Sequence, residues 1–233
     1  MFNRAHHQKI AIVLTSLDAE LLRASSCYFG GGTAITLRYG EFRESVDLDF
    51  LISDLSSYRY LRQLLTGPGQ FSSILQTQQT PFPLLNSIQA DQYGIRAMLS
   101  VAATPIKFEI VLESRMVLDQ PAPSDTVCGV ATLTSCDMAA SKLLANSDRW
   151  RDESAFSRDI IDLAMMKPSL KLMKQAVTKA ERAYGNSIIE DLAKAIEFVQ
   201  SHPEHLERSL QALALNVPKA VLFQNIHALR RAL

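Results

Sequence analysis

The 233-residue chain is 47% hydrophobic, enough for one large domain or two small ones. Its 24 lysines and arginines balance 24 aspartates and glutamates, so net charge does not point to nucleic acid or membrane, and any such contact must rest on a local patch. No apolar run reaches the roughly 18 residues of a membrane span, the start lacks the features of a secretory signal, and three cysteines without paired metal spacing read as reduced thiols of a cytoplasmic protein.

In chain order, apolar residues at helical spacing (Ile10, Val13, Leu14, Leu17, Leu21, Leu22) predict a helix over 7–24. Cys27-Tyr28-Phe29 reads as a short strand entering three glycines; Cys27 itself reads as a small buried residue rather than a nucleophile. Thr33 is placed as N-cap of a helix that runs to Tyr39 and stops at Gly40. A charged loop, 41–44, leads to a strand over 46–52, and a helix over 57–65 ends at Gly67-Pro68-Gly69. Strand-like content follows over 71–80, 93–103 and 106–113, with Ile106, Phe108, Ile110 and Leu112 alternating against Lys107, Glu109, Val111 and Glu113. After a Pro-rich turn, 119–125, one more strand is expected near 127–132. From Thr134 onward the pattern is helical, punctuated by Pro168, Gly185, Pro203 and Pro218. The expected organisation is α+β: a mixed-sheet domain over 1–133 followed by a helical domain over 134–233 that closes the active-site cleft. The halves carry 10 basic and 12 acidic groups against 14 and 12, too small a polarity to indicate a partner.

The chemistry concentrates at Gly30-Gly31-Gly32-Thr33 and Val46-Asp47-Leu48-Asp49-Phe50. Glycines without a Cβ let backbone approach a ligand closely, and the N–H groups opening the next helix suit a phosphate. In a strand Asp47 and Asp49 share one face, and an otherwise apolar strand makes two carboxylates costly unless paired or metal-bound. Mg2+ takes carboxylate oxygens and keeps waters and phosphate ligands. Glu109, on a neighbouring alternating strand, is the candidate third carboxylate; Lys107 and Glu113 beside it describe a solvated strand face equally well. His202 and His205, with Pro203 between them, read as surface histidines.

The segments Gly31–Gly40 and Arg43–Phe50 resemble the first motif of the AbiEii/AbiGii-type nucleotidyltransferases, a family of the polymerase-beta-like nucleotidyltransferase superfamily that includes the MenT toxins. That family's later motif, a helical lysine and then Arg-Asp-x-x-Asp-Leu, has its counterpart in Lys142 and Arg158-Asp159-Ile160-Ile161-Asp162-Leu163. The resemblance implies that Ser45 and Asp47 begin a metal-binding strand that Asp49 continues. It further implies that Gly31, Gly32, Thr33 and Lys142 contact nucleotide phosphates, and that Asp159 completes the site. Asp162, three residues on, would anchor Arg158 or Lys142. The family departs from this chain at Phe42, where a basic residue is common, and at Glu109, where an aspartate is common.

The implied activity is magnesium-dependent transfer of NMP from an NTP to an acceptor hydroxyl, with pyrophosphate released. The acceptor expected from the resemblance is the tRNA 3′ end, and the protein would be a toxin held by a cognate antitoxin. Two rivals stay open: nucleotidylation of a small molecule of antibiotic type, which neutral charge favours, and a degenerate, non-catalytic nucleotide-binding module.

Overall fold

Residues 2–77 and 79–233 are described by a computed structural model in which the chain separates into two units. The first comprises the chain up to Arg38 together with Ser45–Thr134; the second comprises Tyr39–Glu44 and Ser135–Leu233. The fold is α+β: a mixed five-stranded sheet with helices, then a helical region. Among the described residues no helix is long and apolar enough to cross a membrane.

In the first unit, the expected 7–24 helix is two, α1 (Ala5–Ser16) and α2 (Ala19–Ala24). The break has a local cause. Leu17 is extended and bridges to Leu75, and Asp18 donates its N–H to the Ile74 carbonyl at 2.8 Å. The Asp18 carboxylate then caps α2 by accepting from the Leu21 N–H at 2.9 Å. The next elements are β1 (Tyr28–Phe29), α3 (Gly31–Arg38), β2 (Leu48–Ile52) and α4 (Leu55–Thr66). They are followed by β3 (Gln89–Ala90), β4 (Gly94–Val101), β5 (Thr104–Leu112) and the hairpin β6 (Thr126–Val127) and β7 (Val130–Ala131). The large sheet has the order β1-β2-β5-β4-β3, with β2 and β5 parallel and the other pairs antiparallel.

One face of the sheet is apolar. Leu48, Phe50 and Ile52 of β2 lie beside Phe108, Ile110 and Leu112 of β5, and an aromatic chain Phe29–Phe50–Phe108–Phe71 runs through the core with ring centroids 5.0–5.4 Å apart. Phe71 comes from a 3₁₀ turn, Gln70–Ile74, where a strand over 71–80 is expected. The tight turn brings Phe71 and Ile74 onto one side, as residues three apart in a 3₁₀ turn require. Gln78, in that stretch, lies outside the described residues. The expected strand over 127–132 is in fact the β6–β7 hairpin, turning on Cys128 and Gly129 at φ +52 and +83.

The second unit is helical: α5 (Ser135–Arg149), α6 (Arg158–Met165), α7 (Leu170–Tyr184), α8 (Ser187–Ser201), α9 (Pro203–Ala212) and α10 (Lys219–Ala228), then a 3₁₀ turn, Leu229–Ala232. α5 packs against α6, α7 and α8. The boundaries follow the punctuation. Ser169 accepts from the Leu172 N–H to cap α7, Gly185 ends it at φ +60, and Pro203 opens α9. α6 begins later than its apolar pattern predicts because Phe156 and Ser157 are both left-handed, at φ +50 and +52.

Candidate active site

In the first unit, α3 enters at Gly31, whose φ is +65; the first helical bond runs from the Ala34 N–H to the Gly30 carbonyl. The N–H groups of Gly31, Gly32 and Thr33 therefore precede the helical ladder, the position from which backbone amides meet an anion. Thr33 is not the N-cap. It sits third in the helix, buried, and its hydroxyl donates to Ser45 Oγ at 2.8 Å. That bond ties the helix to the segment entering β2 and leaves the Ser45 hydroxyl proton for a ligand.

Asp49 is brought against the glycine step. The Gly30 N–H donates to the Asp49 carbonyl at 2.8 Å, and a Cβ at Gly31 would stand 2.5 Å from Asp49 Oδ2 and 2.9 Å from Asp49 Cβ. Only glycine supplies both the left-handed φ and the space. Asp47 and Ser45 precede β2, which begins at Leu48 rather than at Val46. The segment is held from α1: the Ser45 N–H donates to Nε2 of the buried His7 at 3.2 Å, and His6 Nε2 is 3.0 Å from the Val46 carbonyl oxygen. The register puts Asp49 beside Glu109 of β5, and Glu109 opposite Arg96 of β4.

Glu109 is nearly buried, at 9% exposure, and accepts from Arg96 Nε at 2.7 Å and from Lys107 Nζ. Burial works against the Lys107 charge, but the hydrogen bond and charge of Glu109 and the charges of Asp49 and Asp47 hold its pKa above the usual lysine value. Lys107 thus stands in the field of all three carboxylates. Among the described residues no group of three His, Cys, Asp or Glu side chains converges as a metal cage. Magnesium is commonly held by one or two carboxylates plus substrate phosphates and water. The oxygen donors of Asp49, beside the glycine step, and of Asp47, two residues before it, fit that mode; Glu109 would join only by leaving two cations.

Sequence reasoning missed His7, Arg96 and Lys107. The expected strands over 93–103 and 106–113, joined by a two-residue turn at 104–105, would put residue 96 opposite 113; the turn instead falls at 102–103 and puts Arg96 opposite Glu109. The turn residues, Ala102 and Ala103 at φ +48 and +60, replace the Asn-Gly expected of such a hairpin and hide it. Cys27 is fully buried, and burial pushes its thiol pKa up, which leaves it inert as a nucleophile.

In the second unit, Lys142 of α5 and Asp159 of α6 meet. Lys142 Nζ is 2.9 Å from Asp159 Oδ1 and 2.7 Å from Asp162 Oδ2. Arg149 binds Asp159 through Nε and Nη2 at 2.6 and 2.9 Å. Arg43 binds Asp162 through Nε and Nη2, also at 2.6 and 2.9 Å. Burial raises the Asp159 carboxyl, but Lys142 and Arg149 outweigh it and hold the group well below the usual carboxylate range. The same burial disfavours the Lys142 charge, yet Asp159 and Asp162 hold its pKa above the ordinary lysine value. A phosphate reaching Lys142 would compete with two carboxylates. His205 is not a surface residue: it is 1% exposed, with Nε2 2.9 Å from the Ser157 hydroxyl.

The glycine–helix–strand geometry and the Lys142–Asp159 pair are both present in the order the sequence motifs require. The model of the family described as nucleotidyl transferase AbiEii toxin, Type IV TA system, matches residues 13–226. The chain belongs to this family. It is a nucleotidyltransferase, a toxin of a type IV toxin–antitoxin system, and enzymes of the AbiEii family typically use metal ions. The fold is similar to that of a "putative nucleotidyltransferase from H. pylori", with TM-score 0.53 and 18% identity over 99% of this chain and 96% of that one. It is equally similar to JHP933 from Helicobacter pylori, with TM-score 0.53 and 19% identity over 99% and 94%. No curated protein matches the chain.

Proposed function

We propose that this AbiEii-family protein transfers NMP from an NTP to the 3′-terminal hydroxyl of tRNA, with the triphosphate bound at Gly31, Gly32, Thr33 and Ser45 and magnesium held by Asp47 and Asp49. The observation that carries this reading is the seating of Asp49 against Gly31, which joins the amide cradle and the acidic strand into one site. The acceptor oxygen bonds to the α-phosphorus, the bond to the β-phosphate bridge breaks, pyrophosphate leaves, and solvent takes the hydroxyl proton. Magnesium, when bound, neutralises charge on the phosphates. The chain's own part is positional. The free amides of the first α3 turn orient the triphosphate, Ser45 donates to a phosphate oxygen, and Lys107 offsets the acidic strand before substrate arrives.

The test is incubation with each radiolabelled NTP and total RNA, followed by gel separation. Wild-type protein is expected to label RNA of tRNA size, and Asp47→Ala and Asp49→Ala to lose at least about 100-fold of that activity, the scale on which one electrostatic contact to a transition state acts. Undiminished transfer by both variants would overturn the metal assignment. Labelling of an aminoglycoside panel in place of RNA would establish the small-molecule reading instead.

A further inference from the structure

The neutral net charge of the chain conceals a strong local bias in the helical unit. Residues 163–180 contain Lys167, Lys171, Lys174 and Lys179 and no acidic residue; residues 208–233 contain Arg208, Lys219, Arg230 and Arg231 and again none. Lys179, Arg208 and Lys219 are paired with Asp137, Glu153 and Glu207. Among the described residues the other five have no carboxylate partner.

The two stretches meet at a pocket of about 210 Å³, formed where the end of α6 and Pro168 face the end of α10 and the turn after it. Lys167, Asn225 and Arg231 line it, with Pro168 and Leu229 as apolar wall. Arg231 spends Nε on the Ala228 carbonyl at 3.1 Å and, among the described residues, makes no hydrogen bond through its two terminal nitrogens. Among the described residues, Asn225 makes a weak contact, 3.6 Å, to Met165 sulfur, and the Lys167 ammonium has no partner.

We propose that this pocket binds a backbone phosphate of the acceptor RNA; the inference rests on the RNA-acceptor reading above. A guanidinium fork, a point-charge ammonium and an amide converge on one small concavity, donors enough for several oxygens of one phosphate, where a side-chain carboxylate needs only the fork. Beyond Lys167, which lies in the loop between α6 and α7, the exposed Lys171 and Lys174 stand three residues apart on the first turns of α7. Cations without carboxylate partners that extend beyond the pocket suit a charged strand rather than one acidic side chain.

The test is fluorescence anisotropy of labelled tRNA with the full chain, over a salt series. The double variant Lys167→Ala/Arg231→Ala is expected to bind at least about 10-fold more weakly at 100 mM salt and to lose about 0.7–0.9 from the slope of log K against log salt, for one neutralised phosphate. Arg59→Ala/Arg62→Ala, removing two exposed arginines from α4, equalises the charge loss and is expected to change binding less than about 3-fold. Unchanged binding by the first variant, an equal loss in both, or wild-type binding to poly-glutamate but not to tRNA would each overturn the pocket. Binding is read without transfer, so a chain that holds tRNA through the pocket yet adds no nucleotide overturns only the transfer reading.

Discussion

At Gly31 two demands fall on one residue. Its φ of +65 costs any side chain conformational energy, and its missing Cβ is the space the Asp49 carboxylate occupies. Gly31→Ala is therefore expected to lower stability by about 1–3 kcal/mol through backbone strain, and also to displace Asp49. A denaturation curve and the NTP-labelling assay on the same preparation separate the two effects: transfer should fall at least about 10-fold even where the variant is fully folded. The glycines and both aspartates were legible in the sequence because their types are rare in that setting. The opposite case is Thr33, where residue type suggested a cap. Its hydroxyl instead serves Ser45, because the left-handed glycine before it already starts the helix.

At the scale of elements, α6 carries the largest electrostatic commitment. Asp159 and Asp162, three apart on one face, hold Lys142, Arg149 and Arg43 at a buried site. The spacing predicted a shared face, and of the two anchors it offered Asp162, Arg158 and Lys142, the structure uses Lys142. Asp159→Asn leaves cations buried without full compensation, a change worth about 3 kcal/mol or more in such pairs. The sign with pH follows from the depressed Asp159 carboxyl. Its contribution is complete above the ordinary aspartate value of about 3.9 and is lost as pH falls through the lower folded value. Thermal melts should thus show the wild type well above Asp159→Asn near neutrality and the gap closing under acid below about pH 4. The raised Lys142 pKa adds stability below its ordinary value and loses it under strong alkali. Elsewhere, elements whose residues contradicted their geometry were not legible: Ala102-Ala103 makes a turn that favours Asn-Gly, and Phe156-Ser157 delays a helix with two left-handed residues.

On the scale of the whole molecule, the second unit is discontinuous in sequence, because Tyr39–Glu44 belongs to it although the glycine helix and the acidic strand on either side do not. Arg43 is the consequence with a measurable effect. It lies four residues before Asp47, yet its guanidinium is bound to Asp162 of α6. Trp150, the single tryptophan, is in the helical unit and donates its indole N–H to Asp191 at 3.1 Å, so its fluorescence reports that unit. Arg43→Met is expected to lower the Trp150 unfolding midpoint by about 6–12 °C, from about 3 kcal/mol at 2–4 °C each for a chain of this size. A midpoint within a degree of wild type would remove Arg43 from the helical unit's stability.

What the sequence alone determined is whatever depends on residue type and local period. That covers the α+β order, the glycine step, the acid pair, the lysine and the Arg-Asp-x-x-Asp segment, because backbone freedom, alternation and helical spacing are read within a few residues. What tertiary structure decided is which charges meet. Glu109 is committed to Arg96 and Lys107, Asp162 to Arg43, and two acid-free basic stretches, 163–180 and 208–233, face each other at Lys167 and Arg231. Those pairings turn on strand register and helix packing, which act across distances along the chain that no local period encodes.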